Sequence, residues 1–162
     1  MDKKGLIEAM IDAYTMEKGT NEFYTRAAAN AHEEVARNAF RMLAGWETEH
    51  MDYIRYLYQA LMEDREQLSF EDFKGRLRPQ AVEGNIPVGD VEQWLKDYTF
   101  IDELGAIIVA LRLEADSRIF YKKLSEEVDE PATRVFLEEL MHKEEEHIKY
   151  LKDLRLKIEE TS

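Results

Sequence analysis

The sequence predicts an all-α protein, a four-helix bundle made of two antiparallel helix hairpins joined by a long crossover. Apolar residues recur at helical spacing over four long stretches. The 162 residues include only seven glycines and three prolines, and half of these ten lie between the second and third stretches. The second half also repeats a motif of the first. A chain of this length buries a core without further support, so we expect a single domain over residues 1–162.

The first hairpin is predicted at about residues 3–66. Its first helix runs to about Ala29, and Gly19 is the one break in an apolar series formed by Leu6, Ala9, Met10, Ala13, Met16, Phe23 and Ala27. A short polar stretch at residues 30–33 predicts the turn. The second helix is predicted to end near Glu66, and its apolar series is Phe40, Leu43, Trp46, Ile54, Leu57 and Leu61.

The crossover is predicted at about residues 67–98 and the second hairpin at about residues 99–160. Turn signals in the crossover are Gly75, Pro79, Gly84, Pro87 and Gly89, with a short helical patch at Val91 to Trp94. The third helix ends near Glu127, and we expect its almost uncharged run 104–111 to be the most buried part of the fold. Proline in the first turn after Asp129-Glu130 predicts the start of the fourth helix, which ends near Glu159.

Composition excludes several classes of function. A formal charge of −13 disfavours nucleic acids and anionic membranes as partners. The absence of cysteine excludes disulfides, thiolate catalysis and iron–sulfur ligation by these residues, so any metal must be held by oxygen and nitrogen. No stretch approaches the roughly 20 apolar residues of a membrane span, and the start of the chain lacks an apolar signal core. We therefore expect a cytoplasmic protein.

One motif occurs twice, at an offset of 97 residues. Each half carries a Glu, then Phe-Tyr, then Glu-x-x-His, at identical spacing. The aligned pairs are Glu17 with Glu114, Phe23-Tyr24 with Phe120-Tyr121, Glu47 with Glu144, and His50 with His147.

The spacing of the motif predicts that its members meet inside each hairpin. The first Glu precedes the second by 30 residues in both halves, and the midpoints are His32 and Asp129, which lie in the two predicted turns. The two glutamates of each hairpin should therefore lie at the same height. Residues three apart face the same side of a helix, so each Glu-x-x-His pair can bind one ion.

Two such hairpins packed face to face collect four carboxylates and two imidazoles, the pattern of di-iron and di-manganese carboxylate proteins. Burying four carboxylates is costly unless two divalent cations balance their charge. The sequence therefore predicts a two-metal site, with Glu17, Glu47, His50, Glu114, Glu144 and His147 as the candidate ligands.

Two other histidines are not predicted as ligands. Glu139-x-x-His142 has the same spacing, but the residue of the first half that aligns with His142 is Gly45, and Val109 instead of a Glu lies 30 residues before Glu139. His142 should also face about 140° away from His147 around the helix. His32 is predicted as a turn residue.

The sequence Glu17-x5-Phe23-Tyr24 with Glu47-x-x-His50, repeated from Glu114, resembles the rubrerythrin branch of the ferritin-like superfamily over nearly the whole chain except the crossover. The resemblance implies a ferritin-like fold in which Glu47 and Glu144 bridge two metals while the other four are terminal ligands. It implies iron as the native metal, with manganese or zinc as alternatives, and the reduction of hydrogen peroxide or dioxygen.

The chain departs from the rubrerythrin pattern in two respects. It has no cysteine-bearing rubredoxin module, so we expect an external electron donor such as a rubredoxin. Rubrerythrins usually carry another Glu one turn after the third-helix ligand, where this chain has Ser117. The redox-linked exchange of carboxylate for histidine known in that family is therefore in question here.

Three aromatic features of the sequence have two interpretations each. Tyr24 and Tyr121 lie seven residues after their Glu on the same face, where a phenol can hydrogen-bond a ligand carboxylate or act as a core aromatic. The aromatic run 53–58 predicts either a homodimer face or a surface covered by the crossover.

Three further functions compete with peroxide or dioxygen reduction. Ferroxidase activity for iron storage would be accompanied by a large cage, and oxygenation of an organic substrate would require an apolar channel to the metals. A non-enzymatic bundle with zinc or another metal would bind tightly without turnover.

Overall fold

The computed structural model describes residues 1–64 and 86–161. The predicted turn signals Gly75, Pro79 and Gly84, and the predicted helix end near Glu66, lie outside these ranges. The helices are α1 (Lys3–Asn30), α2 (Glu34–Met62), α3 (Val91–Leu95), α4 (Glu103–Glu127) and α5 (Pro131–Thr161). No strand occurs within 1–64 and 86–161, and the all-α, ferritin-like bundle is confirmed.

Acidic side chains cap the N-termini of three of the long helices. The Asp2 carboxylate accepts a hydrogen bond from the Gly5 N–H at 2.8 Å, and Asp102 accepts one from Gly105 at 2.7 Å. Glu130 accepts one from the Thr133 N–H at 2.7 Å. Each bond satisfies an N–H that has no partner inside the helix, and the negative charge interacts favourably with the helix dipole.

The two hairpin turns lie where the motif spacing predicts them, at residues 31–33 and 128–130. The repeat also includes the hydrogen bonds that hold the two turns in place. Arg37 donates to the Ala31 carbonyl at 3.0 Å, and Arg134 donates to the Val128 carbonyl at 2.8 Å. These arginines and carbonyls are equivalent at the 97-residue offset, so both turns are held in the same way.

The core consists of two apolar clusters with the predicted metal ligands between them. One cluster lies toward the α1–α2 turn and includes Phe23, Phe40, Leu43, Ile107 and Leu151. The other lies toward the α4–α5 turn and includes Met10, Ile54, Leu57, Leu137 and Leu140. The polar layer is therefore enclosed by apolar side chains along the bundle axis.

One packing prediction differs from the structure. The run 104–111 is not the most buried part of the fold, since Ile108 is 54% exposed while Ile107 is fully buried, because a bundle helix turns only one stripe toward the core.

The aromatic run 53–58 has three buried and three half-buried side chains, and its role as a homodimer face stays a prediction. Tyr53 is buried, and Tyr53 and Tyr56 pack against Phe136, with ring centroids 5.9 and 6.0 Å apart.

Within residues 1–64 and 86–161, no helix combines the length and apolar character needed to cross a membrane.

Candidate metal centre

The four long helices each contribute to one polar layer in the middle of the bundle. Helix α1 carries Glu17 and α4 carries Glu114. Helices α2 and α5 each carry a Glu-x-x-His pair, with both side chains of each pair on the inner face. All six predicted ligands come together in this layer, and none is more than 3% exposed.

Among the described residues, two overlapping groups of four could each hold a metal ion, and a third group of three, His50, Glu144 and His147, overlaps both. One group of four consists of Glu17, Glu47, His50 and Glu144, and the other of Glu47, Glu114, Glu144 and His147. Ligand atoms in each group lie within 4.8 Å of one another. Glu47 and Glu144 belong to both groups of four. The arrangement therefore has two terminal pairs of one carboxylate and one imidazole, and two carboxylates between them.

Both imidazoles turn Nδ1 toward the carboxylates. His50 Nδ1 lies 2.8 Å from Glu144 Oε1 and 3.5 Å from Glu17 Oε1. His147 Nδ1 lies 3.2 Å from Glu47 Oε1 and 3.3 Å from Glu114 Oε1. Each ring thus contacts a shared carboxylate of the opposite hairpin as well as a terminal carboxylate.

Several buried atoms in the layer make no hydrogen bond of good geometry among the described residues. They are both carboxylate oxygens of Glu47, both of Glu144, and Nδ1 of His50, although His50 Nδ1 and Glu144 Oε1 are only 2.8 Å apart. Leaving such atoms without a partner costs about 1–3 kcal/mol each, and more when they are charged. Divalent cations would satisfy these atoms and cancel the charge of four carboxylates. The oxygen and imidazole donors therefore fit two metal ions of the iron, manganese or zinc type.

The direction of the pKa shift divides the four carboxyl groups into the same two sets, the shared pair and the terminal pair. Burial, together with the neighbouring carboxylates, raises the pKa of Glu47 and of Glu144 well above the ordinary value. Burial also acts to raise the pKa of Glu17 and Glu114, but nearby imidazoles and carboxyl groups lower it overall. Glu47 and Glu144 therefore bind protons more strongly than Glu17 and Glu114 do. A cation that binds in the layer must displace those protons.

Two phenols hydrogen-bond the terminal carboxylates, and they do so across the two halves. The Tyr24 hydroxyl donates to Glu114 Oε1 at 2.6 Å, and the Tyr121 hydroxyl donates to Glu17 Oε1. Burial and the adjacent glutamates raise the pKa of both tyrosines well above the usual range. Both phenols therefore remain protonated donors at neutral pH.

The remaining candidates lie away from this layer or contribute no carboxylate. Ser117 lies one turn after Glu114 and is buried. It therefore supplies a hydroxyl at the position where rubrerythrins usually carry another Glu. The His142 side chain is 57% exposed and lies 3.4 Å from Glu145, as expected for a residue outside the site. His32 is exposed in the first turn.

Trp46 is a contact of the centre that the sequence pattern did not single out. Its indole stacks on His147, with centroids 5.2 Å apart and an interplanar angle of 17°. In the sequence it is only one apolar residue of α2. The available signal was its position four residues before His50, on the same helix face.

The comparison with protein families agrees with this geometry. The rubrerythrin family model matches residues 8–155, a range that includes both hairpins and all six residues of the layer. No curated protein and no solved structure gave a match. Because the match extends over most of the sequence, the chain belongs to the rubrerythrin family of the ferritin-like superfamily.

Proposed function

We propose that the protein is a di-iron oxidoreductase that reduces hydrogen peroxide or dioxygen at the buried carboxylate layer. The observation that carries the proposal is the pair of overlapping ligand groups that share Glu47 and Glu144. A single-metal or purely structural layer has no need of two shared carboxylates.

In this proposal Glu47 and Glu144 would contribute to holding both ions. Glu17 and His50 would hold one ion, and Glu114 and His147 would hold the other. Two iron ions, when bound, supply the electrons that reduce the oxidant. Family membership favours iron, while manganese and zinc satisfy the same donors.

Tyr24 and Tyr121 act as positioning residues. Each phenol keeps its proton and holds one oxygen of a terminal carboxylate through a hydrogen bond, which would fix the orientation of that carboxylate for metal binding. The apolar clusters on both sides limit the access of water along the bundle axis. This restriction suits a site that must reduce its oxidant without side reactions.

The external partners follow from the proposal. They are peroxide or dioxygen and a one-electron donor such as a rubredoxin. A homodimer and a cytoplasmic location remain predictions from the sequence.

The proposal is tested by anaerobic Fe(II) titration of metal-free protein, followed by rapid mixing with peroxide or dioxygen and measurement of near-ultraviolet ferric absorption. We expect saturation at about two irons per chain and a faster reaction with peroxide. Faster reaction with dioxygen, accompanied by a large cage in solution, would favour a ferroxidase instead. Failure to bind a pair of ions would contradict the proposal.

Two variants test whether the carboxylate layer is the site that binds the two ions. Glu47→Gln removes a shared carboxylate at constant size and should abolish binding of the second ion. His142→Ala removes the exposed histidine of the same spacing and should leave the stoichiometry unchanged. Loss of an ion in the His142 variant would contradict the assignment of ligands.

A further inference from the structure

A chain of aromatic contacts connects the two imidazoles of the centre to the surface. His50 and His147 stack with centroids 5.0 Å apart and an angle of 11°. Trp46 stacks on the outer side of His147, and Tyr150 contacts the Trp46 indole edge-on at 5.1 Å. Trp46 and Tyr150 are both half-buried, so the chain of rings ends at solvent.

The outer end of this chain lines a cavity of about 180 Å³ between α2 and α5. Both imidazoles border the cavity, with Trp46, Lys143, Glu49 and Glu146 around them. Because Nδ1 of each ring faces the carboxylates, the rings stand between the cavity and the ligand oxygens. Ring contact is therefore continuous from the edge of the cavity to both candidate ligand imidazoles.

The repeat shows that holding the metals does not require the indole. Lys143 stands at the position equivalent to Trp46 in the second half, yet both ligand groups are complete. On the His50 side the stacked ring is Tyr53, which is buried and packs against Phe136. Among the described residues, the half-buried Trp46 lies directly on His147, whereas on the His50 side the rings reach a half-buried residue only at Tyr56, beyond Tyr53 and Phe136. The shorter aromatic route to the surface is therefore on the His147 side.

We propose that Trp46 is the point at which electrons pass from an external one-electron donor to the metal pair through His147. The inference rests on the proposed function. The 162 residues contain no cysteine, so no iron–sulfur or rubredoxin centre within them supplies electrons. Two donor molecules would each lose one electron, and two ferric ions would each gain one, with no bond made or broken in the protein.

The test compares wild-type protein with Trp46→Leu and Trp46→Phe. Diferric protein is reduced anaerobically, without oxidant, by photogenerated methyl viologen radical, and the loss of ferric absorption gives the rate. We expect Trp46→Leu to be about tenfold slower, the change that a barrier higher by about 1.4 kcal/mol produces. Trp46→Phe keeps an aromatic ring and should retain an intermediate rate.

Two controls separate electron transfer from damage to the site. Cobalt(II) binding, followed by its visible absorption, should have the wild-type affinity and stoichiometry in both Trp46 variants. Trp94→Leu removes the other tryptophan, whose ring contacts Tyr98 and the backbone of α1 at Gly19, and should not change the rate.

The outcomes distinguish the two proposals. Wild-type protein that fails to bind an iron pair, or whose ferric pair is not reduced, would overturn the proposed function. A wild-type pair that is reduced at the same rate in Trp46→Leu, or faster, would overturn only the role of Trp46. Slowing accompanied by weaker cobalt binding, or equal slowing in Trp94→Leu, would also overturn that role.

Discussion

At the scale of single residues, the most informative contacts are the crossed hydrogen bonds of the two tyrosines. Tyr24 in α1 donates to Glu114 in α4, and Tyr121 in α4 donates to Glu17 in α1. Each tyrosine lies seven residues after the Glu of its own helix, but it orients the Glu of the other hairpin. The two halves of the site therefore depend on each other.

Removing either phenol should weaken metal binding. Tyr121→Phe leaves Glu17 without its donor, and the loss of such a partner to a ligand typically costs about 10- to 100-fold in affinity. Titration with cobalt(II) or iron(II) measures the change, and Tyr24→Phe should have a similar effect through Glu114.

Tyr14→Phe is the matched control, because the Tyr14 hydroxyl accepts from Arg55 at 2.8 Å instead of contacting the carboxylate layer. It should retain wild-type affinity. Unchanged affinity in both Tyr24→Phe and Tyr121→Phe would mean that the phenols only fill the core.

At the scale of elements, a glycine lets the crossover helix α3 contact α1 closely. A β-carbon on Gly19 would overlap the six-membered ring of Trp94. Gly45 in α2 is the opposite case, since a β-carbon there meets nothing within 4 Å. The break in the apolar series of the first helix therefore has a packing reason.

Gly19→Ala should destabilise the protein by about 1–3 kcal/mol, because α3 or its indole must move. Gly45→Ala should stabilise it by about 0.5–1 kcal/mol, since alanine is the better helix former and nothing clashes. Urea unfolding of both variants gives the comparison. Combining Gly19→Ala with Trp94→Ala should relieve the overlap, and equal stabilisation by both single variants would contradict the close contact.

The start of α5 should show a pH-dependent stability. Burial acts to raise the pKa of Glu130, but hydrogen bonds from Thr133 and Ala132 lower it overall below its ordinary value of 4.5. A lowered folded-state pKa means that the ionised carboxylate stabilises the folded state above about pH 4.5 and that this contribution is lost as the pH falls through the lowered value.

Glu130→Gln keeps the hydrogen-bond acceptor and removes the charge. At pH 7 and low ionic strength it should lower the free energy of unfolding by about 0.3–1 kcal/mol. Urea titrations from pH 7 to well below pH 4.5 should show a constant difference from wild type down to about pH 4.5 and a shrinking one at lower pH. The test therefore lies in the acid part of this range. A difference that stays constant over this range would show that the charge does not contribute.

At the scale of the whole molecule, stability and function should oppose each other in the carboxylate layer. Four carboxyl groups are buried together, and burial raises the pKa of Glu47 and Glu144. The protein without metal therefore bears an electrostatic cost that bound cations remove.

Metal removal should lower the melting temperature. Free metal at 100 times Kd stabilises the folded state by about 2.7 kcal/mol per site. For a chain of this size, this corresponds to about 5–11 °C per site. Differential scanning calorimetry with and without a chelator measures the shift. Glu47→Gln should respond less to metal and should be at least as stable as wild type when metal-free, whereas a wild-type melting temperature independent of metal would contradict a metal-balanced layer.

Much of the architecture could be predicted from local patterns. Helical periodicity is a property of one segment, so the four long helices follow from it. The two hairpin turns follow from the spacing of the repeated glutamates, and the Glu-x-x-His pairs lie on one helix face because residues three apart must do so. The separation of His142 from the centre follows from the same helix geometry.

The tertiary structure alone decided how the two hairpins meet. It determined that each tyrosine crosses to the glutamate of the other half, that Tyr53 packs inward against Phe136, and that Ile108 faces away from the core. It also stacked Trp46 on His147. These features depend on how helices far apart in sequence are rotated against each other and on which side-chain rotamers pack between them, and no local period of a single segment contains that information.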